Sequence, residues 1–161
     1  MIKKFLNQYK SFIFSVLIAL IVGGLSALLT MNNMDLFDII KKPPLTPPAI
    51  VFPIVWTILY VLMGISAARI YEERHLESEK VRSALTTYAS SLVVNFAWSI
   101  IFFNWQAFWI AFLWILLLEA LVIITIIKYS KIDKTAAYLQ IPYAVWVALA
   151  TYLCTAIAII N

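Results

Sequence analysis

Three tryptophans sit one to two turns from the same ends of three apolar runs: Trp56 in Val55-Trp56-Thr57-Ile58-Leu59-Tyr60, Trp98 in Asn95-Phe96-Ala97-Trp98, and Trp146 in Pro142-Tyr143-Ala144-Val145-Trp146. Indoles are flat, apolar faces that carry one N–H donor each, so a group of them suits a large planar or polycyclic hydrophobic ligand. Asn95 shares a helix with Trp98, and an amide in hydrocarbon needs a partner, either a neighbouring helix or a ligand. A belt of aromatic residues at the membrane–water interface is the competing reading, and it fits Trp105 and Trp109, which flank a turn. For Trp56, Trp98 and Trp146, spacing leaves belt and pocket open.

Other chemistries find few residues. His75, the one histidine, lies in the charged segment Glu72-Glu73-Arg74-His75-Leu76-Glu77-Ser78-Glu79-Lys80, so neither a catalytic triad nor a histidine metal site within the membrane is expected. Cys154, the one cysteine, sits in an apolar run and reads as a small buried hydrophobe. No metal site is expected. Glu119 is the one acid well inside an apolar run; a charge at mid-bilayer costs about 2.5–3.5 kcal/mol on insertion scales, so it should face a partner or a cavity.

The elements that must position these residues follow from composition. Hydrophobic residues make up 64% of the 161, and charged residues 12% against roughly 25% in soluble proteins; mean hydropathy is +0.95. The expected fold is all-α, an integral membrane bundle of five transmembrane helices in a single domain spanning 1–161, with helices at about 11–31, 49–71, 82–103, 107–129 and 135–160. The apolar run from Phe12 to about Met31 exceeds a signal-peptide core and reads as the first span. Net charge is +4 and the pI about 9.2, but the basic residues are dispersed at helix ends, so no nucleic-acid partner is expected. Ten of the twelve Lys and Arg (Lys3, Lys4, Lys10, Arg69, Arg74, Lys80, Arg82, Lys128, Lys131, Lys134) fall on one side of a five-span topology. The positive-inside rule then puts the N-terminus inside and the C-terminus outside.

Between the first two spans lies Lys42-Pro43-Pro44-Leu45-Thr46-Pro47-Pro48. Proline fixes φ and drives the preceding residue out of the helical region, so this loop is stiff and non-helical and suggests a lid over a pocket. Small residues at helical spacing (Gly23 with Ala27, Gly64 with Ala68, Ala144 with Ala148) permit close helix packing, within one chain or between two.

These blocks, taken in order with Met63-Gly64, Ile101-Phe102-Phe103 and Ala150-Thr151-Tyr152-Leu153, resemble the translocator protein or tryptophan-rich sensory protein (TspO/MBR) family over nearly the whole chain. The resemblance implies a commonly dimeric five-helix bundle, in a bacterial cytoplasmic membrane and in contact with lipid, that binds porphyrins such as protoporphyrin IX or haem as ligands and requires no cofactor. It also implies stress regulation and light- and oxygen-dependent porphyrin breakdown in some members; carriage or sensing of hydrophobic ligands, sterol-like or benzodiazepine-like ones included, is the non-catalytic alternative. Carried over by motif, Trp56, Asn95, Trp98, Trp146, Ala150 and Leu153 line the pocket, Pro47 and Pro48 belong to its lid, and Trp56 and Trp146 are the candidates for photo-oxidation. Leu45 and Phe96 stand where the family usually has tryptophan, which implies a shifted ligand preference. No Lys or Arg follows Tyr152, so sterol binding through the basic pattern of animal members is not expected.

Overall fold

A computed structural model describes residues 2–161, with side chains from residue 9 onward. Five long helices, α1 (Ile2–Thr30), α3 (Val51–Glu72), α4 (Ser78–Ser99), α5 (Phe108–Ser130) and α6 (Lys134–Ile160), are joined by short connections, and a four-residue helix α2 (Leu36–Ile39) follows α1. All five long helices are apolar and long enough to cross a bilayer. They form a closed circuit in which α1 packs on α3, α3 on α6, α6 on α5, α5 on α4 and α4 back on α1.

The boundaries depart from the apolar runs for local reasons. Apolarity marks the span rather than the helix, and α1 starts at Ile2 rather than Ser11 because lysine is a good helix former. Lys3 and Lys4 lie outside the residues whose side chains are described. α4 starts at Ser78 rather than Arg82, with Glu79 in its first turn, where the helix dipole favours an anion, and with Lys80–Glu77 and Arg82–Glu79 ion pairs at i,i+3 spacing.

Glycine sets how closely α1 and α3 approach. A Cβ on Gly64 would lie 2.5 Å from Val16 Cα, and the ring of Tyr60 fills the space beside Gly23. Both glycines therefore serve packing within the chain. Elsewhere buried polar groups clasp helices: Ser66 Oγ donates to Ala136 O at 2.7 Å and accepts from Gln140 Nε2 at 3.2 Å, joining α3 to α6. Trp114 Nε1 donates to Val94 O at 2.9 Å, joining α5 to α4. Asp133 caps α6, its Oδ1 accepting from Thr135 N and Ala136 N, while Oδ2 accepts from Arg69 Nε at 2.7 Å.

Two features have no counterpart in the apolar pattern. Past Ser99 the chain widens into a π turn over Ile100–Asn104, with Trp105 N bonded to Ile100 O at 3.1 Å, and Gln106 then takes φ +52°. Asn104 stitches this turn to α1, accepting from Asn33 Nδ2 at 2.8 Å and donating to Leu29 O at 2.9 Å. The second feature is α2, whose Phe37 packs edge-on against Phe52 of α3 at 5.2 Å between ring centroids.

Candidate ligand cavity

At the end of the bundle that carries the proline loop, α1, α2, α3, α4 with its π turn, and α6 enclose a cavity of about 280 Å³. Nothing from α5 reaches its wall. The structure brings Trp56, Asn95, Trp98, Trp146, Ala150 and Leu153 together on this wall. Pro47 and Pro48 are not on it; the roof on that side is made by Met34, Phe37 and Ala49, with the prolines farther out.

Aromatic contacts make the wall continuous. Trp56 stacks on Tyr60 at 5.6 Å and meets Tyr143 edge-on at 6.1 Å. Trp98 stacks on Phe102 at 5.2 Å, Phe102 meets Phe103 at 5.0 Å, and Phe103 reaches Phe37 at 6.3 Å. Phe37 leads through Phe52 to Trp146 at 5.7 Å. Each such pair is worth about 0.5–1.5 kcal/mol beyond burial, so the rings hold one another in place. The π turn carries Phe102 and Phe103, and both lie on the cavity wall.

The polar partner that Asn95 requires is Tyr60, whose hydroxyl accepts from Asn95 Nδ2 at 3.0 Å. The indole nitrogens of Trp98 and Trp146 are both buried with no hydrogen-bond partner among the described residues. Cys154 also lies on the wall, beside Trp98, and its thiol is 3.9 Å from Phe108 O. Trp105 and Trp109 are exposed and separate from the cavity. Glu119 has one carboxylate oxygen buried without a hydrogen-bond partner among the described residues.

Sequence reading leaves Tyr60 and Phe102 off the wall and makes Cys154 a small buried hydrophobe, which it is, although each lies four residues beyond a wall residue (Trp56, Trp98 and Ala150) and so on the same helix face. Phe37 had no such signal, since it precedes the apolar run of α3 and is placed by the fold of the chain around it.

The proline loop is bonded mainly to α6. Tyr152 OH donates to Pro44 O at 2.9 Å, and the Asn161 amide pairs with Lys41 as a strand would, accepting from Lys41 N at 2.9 Å and donating to Lys41 O at 3.1 Å. Within the loop, Pro44 and Leu45 form the centre of a turn in which Leu45 adopts φ +67°, and Thr46 Oγ1 donates to Pro43 O at 2.7 Å. Leu45 is 81% exposed and points away from the cavity wall.

Fold and cavity together define an integral membrane protein, a five-helix bundle with a tryptophan-lined cavity at one end. The chain belongs to the TspO/MBR family, whose pattern matches residues 15–160. It is 32% identical over 117 residues to the tryptophan-rich protein TspO of Chlorobaculum tepidum, covering 73% of each chain. It is 32% identical over 115 residues to the tryptophan-rich sensory protein of Cereibacter sphaeroides, covering 71% of this chain and 70% of that one. The translocator protein of Ovis aries is 32% identical over 114 residues, 71% of this chain and 68% of the sheep protein.

Proposed function

We propose that the cavity binds a flat, largely apolar ligand of the tetrapyrrole class, protoporphyrin IX or haem, between the indoles of Trp56, Trp98 and Trp146. The observation that carries this reading is the meeting of three tryptophans from three helices on one wall. The chemistry of the wall suits a porphyrin, because its faces are aromatic. For haem, the wall residues of iron-ligating type are Met34, Tyr60 and Cys154, whereas His75 follows α3 at the opposite end. At about 280 Å³ the cavity lies just below the ~300–1,000 Å³ usual for small-molecule sites, so a whole macrocycle requires the roof at Met34 and Phe37 to give way.

Under light a bound porphyrin supplies an excited state that activates dioxygen. Trp56 and Trp146 are then the oxidisable side chains held against it, which is the basis for light-dependent porphyrin breakdown at this site. A sensory role is the second reading, and the bonds from the loop to α6 favour it: moving the roof to admit a ligand also moves the exposed surface at Pro44 and Leu45. By the distribution of Lys and Arg, the cavity end faces outward, with the N-terminus inside. The protein is further proposed to work as a homodimer.

Titration with protoporphyrin IX, followed by tryptophan quenching and by bleaching under light, tests the reading. Trp56→Phe and Trp146→Phe should each weaken binding several-fold and change the bleaching rate; unchanged affinity and bleaching in both variants would remove porphyrin from this cavity. Protein-dependent porphyrin flux across vesicles in the dark, surviving those substitutions, would favour carriage over breakdown.

A further inference from the structure

A second cavity, of about 600 Å³, opens between α1, α3 and α4 at the opposite end of the bundle. Its lower part is polar: Lys10 and Ser11 on α1 and Tyr71 near the end of α3 line it, with Ser15 one turn farther up α1. Its upper part is apolar, walled by Phe14 and Ile18 on one side and by Leu92 on the other.

Two observations give this cavity a ligand chemistry. The mouth carries positive charge with no protein counter-ion: Lys10 is exposed, the Arg74 guanidinium lies 4.0 Å from the centroid of the Tyr71 ring, and neither has an acidic partner among the described residues. Inside, all three helices present apolar side chains, Phe14 and Ile18 from α1, Ala67 from α3 and Leu85 and Leu92 from α4, a lining that suits a hydrocarbon chain.

We propose that this cavity holds one anionic phospholipid from the surrounding leaflet. The phosphate sits at the mouth between Lys10 and Arg74, and an acyl chain runs along Phe14, Ile18 and Leu92. The order cation then apolar wall matches the order of headgroup then chain in a lipid. Basic pockets between membrane helices recognise anionic headgroups in this way, each cation near the surface contributing about 1 kcal/mol. The cavity is distinct from the tryptophan-lined one and its occupancy does not depend on the porphyrin reading.

Native mass spectrometry of the delipidated full chain in detergent tests the proposal, with phosphatidylglycerol and phosphatidylcholine of identical chains as probes. One phosphatidylglycerol should be retained at concentrations where phosphatidylcholine is not, and inorganic phosphate alone should not displace it. The double variant Lys10→Gln/Arg74→Gln should weaken phosphatidylglycerol at least tenfold and leave phosphatidylcholine unchanged. Ala89→Trp, which fills the cavity from α4, should abolish retention. Equal retention of the two lipids, or phosphatidylglycerol binding that survives the double variant, overturns the proposal; both of those positions are on the periphery of the bundle, so the double variant decides the matter even if Ala89→Trp fails to fold.

Discussion

The two ends of the same five helices are built from different materials. At the loop end, rings from α2, α3, the π turn and α6 stack around a cavity, and the side chains of Tyr152 and Asn161 hold the loop by its backbone. At the other end the helices are joined through charge and hydroxyl: Asp133 bonds Arg69, and Lys128 Nζ donates to Ser83 Oγ at 2.9 Å and to Thr87 Oγ1 at 2.8 Å. The first kind of contact is apolar and can part to admit an apolar guest; the second is directional and ties the helix ends. One bundle thus keeps a deformable end and a fastened end, and substitutions should separate them.

The largest effect is expected between the ends, where α1 crosses α3. Gly64→Ala places a Cβ against the Val16 backbone, which cannot step aside, and overpacking of this kind costs about 1–3 kcal/mol. Gly23→Ala should instead displace the Tyr60 ring and reach the cavity through Asn95, whereas Gly24→Ala meets open space and should raise stability by about 0.5–1 kcal/mol through backbone entropy. Thermal unfolding of the three variants in one detergent checks the order; a silent Gly64→Ala would mean that α1 is not docked as described.

At the fastened end, Asp133→Ala removes both the cap of α6 and the bond to Arg69, for about 1 kcal/mol. Burial pushes the Asp133 carboxyl upward, but the Arg69 hydrogen bond, the Thr135 and Ala136 N–H groups and the Arg69 charge outweigh it and hold the carboxyl below its usual value. Because the folded form has the lower value, this stabilisation is complete above the unfolded value of about 3.9 and is lost as pH falls through the folded one. Melting curves of wild type and Asp133→Ala should therefore differ at neutral pH and converge below about pH 4. A gap that persists in acid would assign the effect to something other than the carboxylate.

The smallest effect is expected at the deformable end. Leu45 holds a left-handed conformation that costs a non-glycine residue about 1–2 kcal/mol, and glycine gives back about 0.5–1 kcal/mol of that in backbone entropy. Leu45→Gly should thus raise stability by less than about 1 kcal/mol and leave porphyrin affinity unchanged, since Leu45 is off the cavity wall. A changed ligand preference in this variant would restore Leu45 to the role its family position implies.

What could be read from the chain follows the same division. Five spans were legible because twenty-residue apolar runs state them, whereas the wall positions Trp56, Trp98 and Trp146 came from the family resemblance, spacing alone having left an interfacial belt and a pocket both open. α2 was not legible. Four residues cannot overcome the cost of starting a helix, so Leu36–Ile39 forms only because Phe37 finds Phe52 and Phe103. The π turn at Ile100–Asn104 was hidden for the same reason, since Asn33 and Leu29 of the α1 region hold Asn104 from a distance in sequence. The roof was read from four prolines, yet it is made by the neighbours that those prolines hold in position.

The clasp between Lys41 and Asn161, together with Tyr152 on Pro44, bears on time rather than on strength. Phe37 and Ala49, both in the roof, lie on either side of the loop that these three bonds hold, so roof and loop open together. At about 1 kcal/mol each, the three bonds slow that opening by roughly two orders of magnitude, for entry and for exit alike. On the ligand reading proposed above, equilibrium occupancy is then unaffected while the residence of a guest is lengthened.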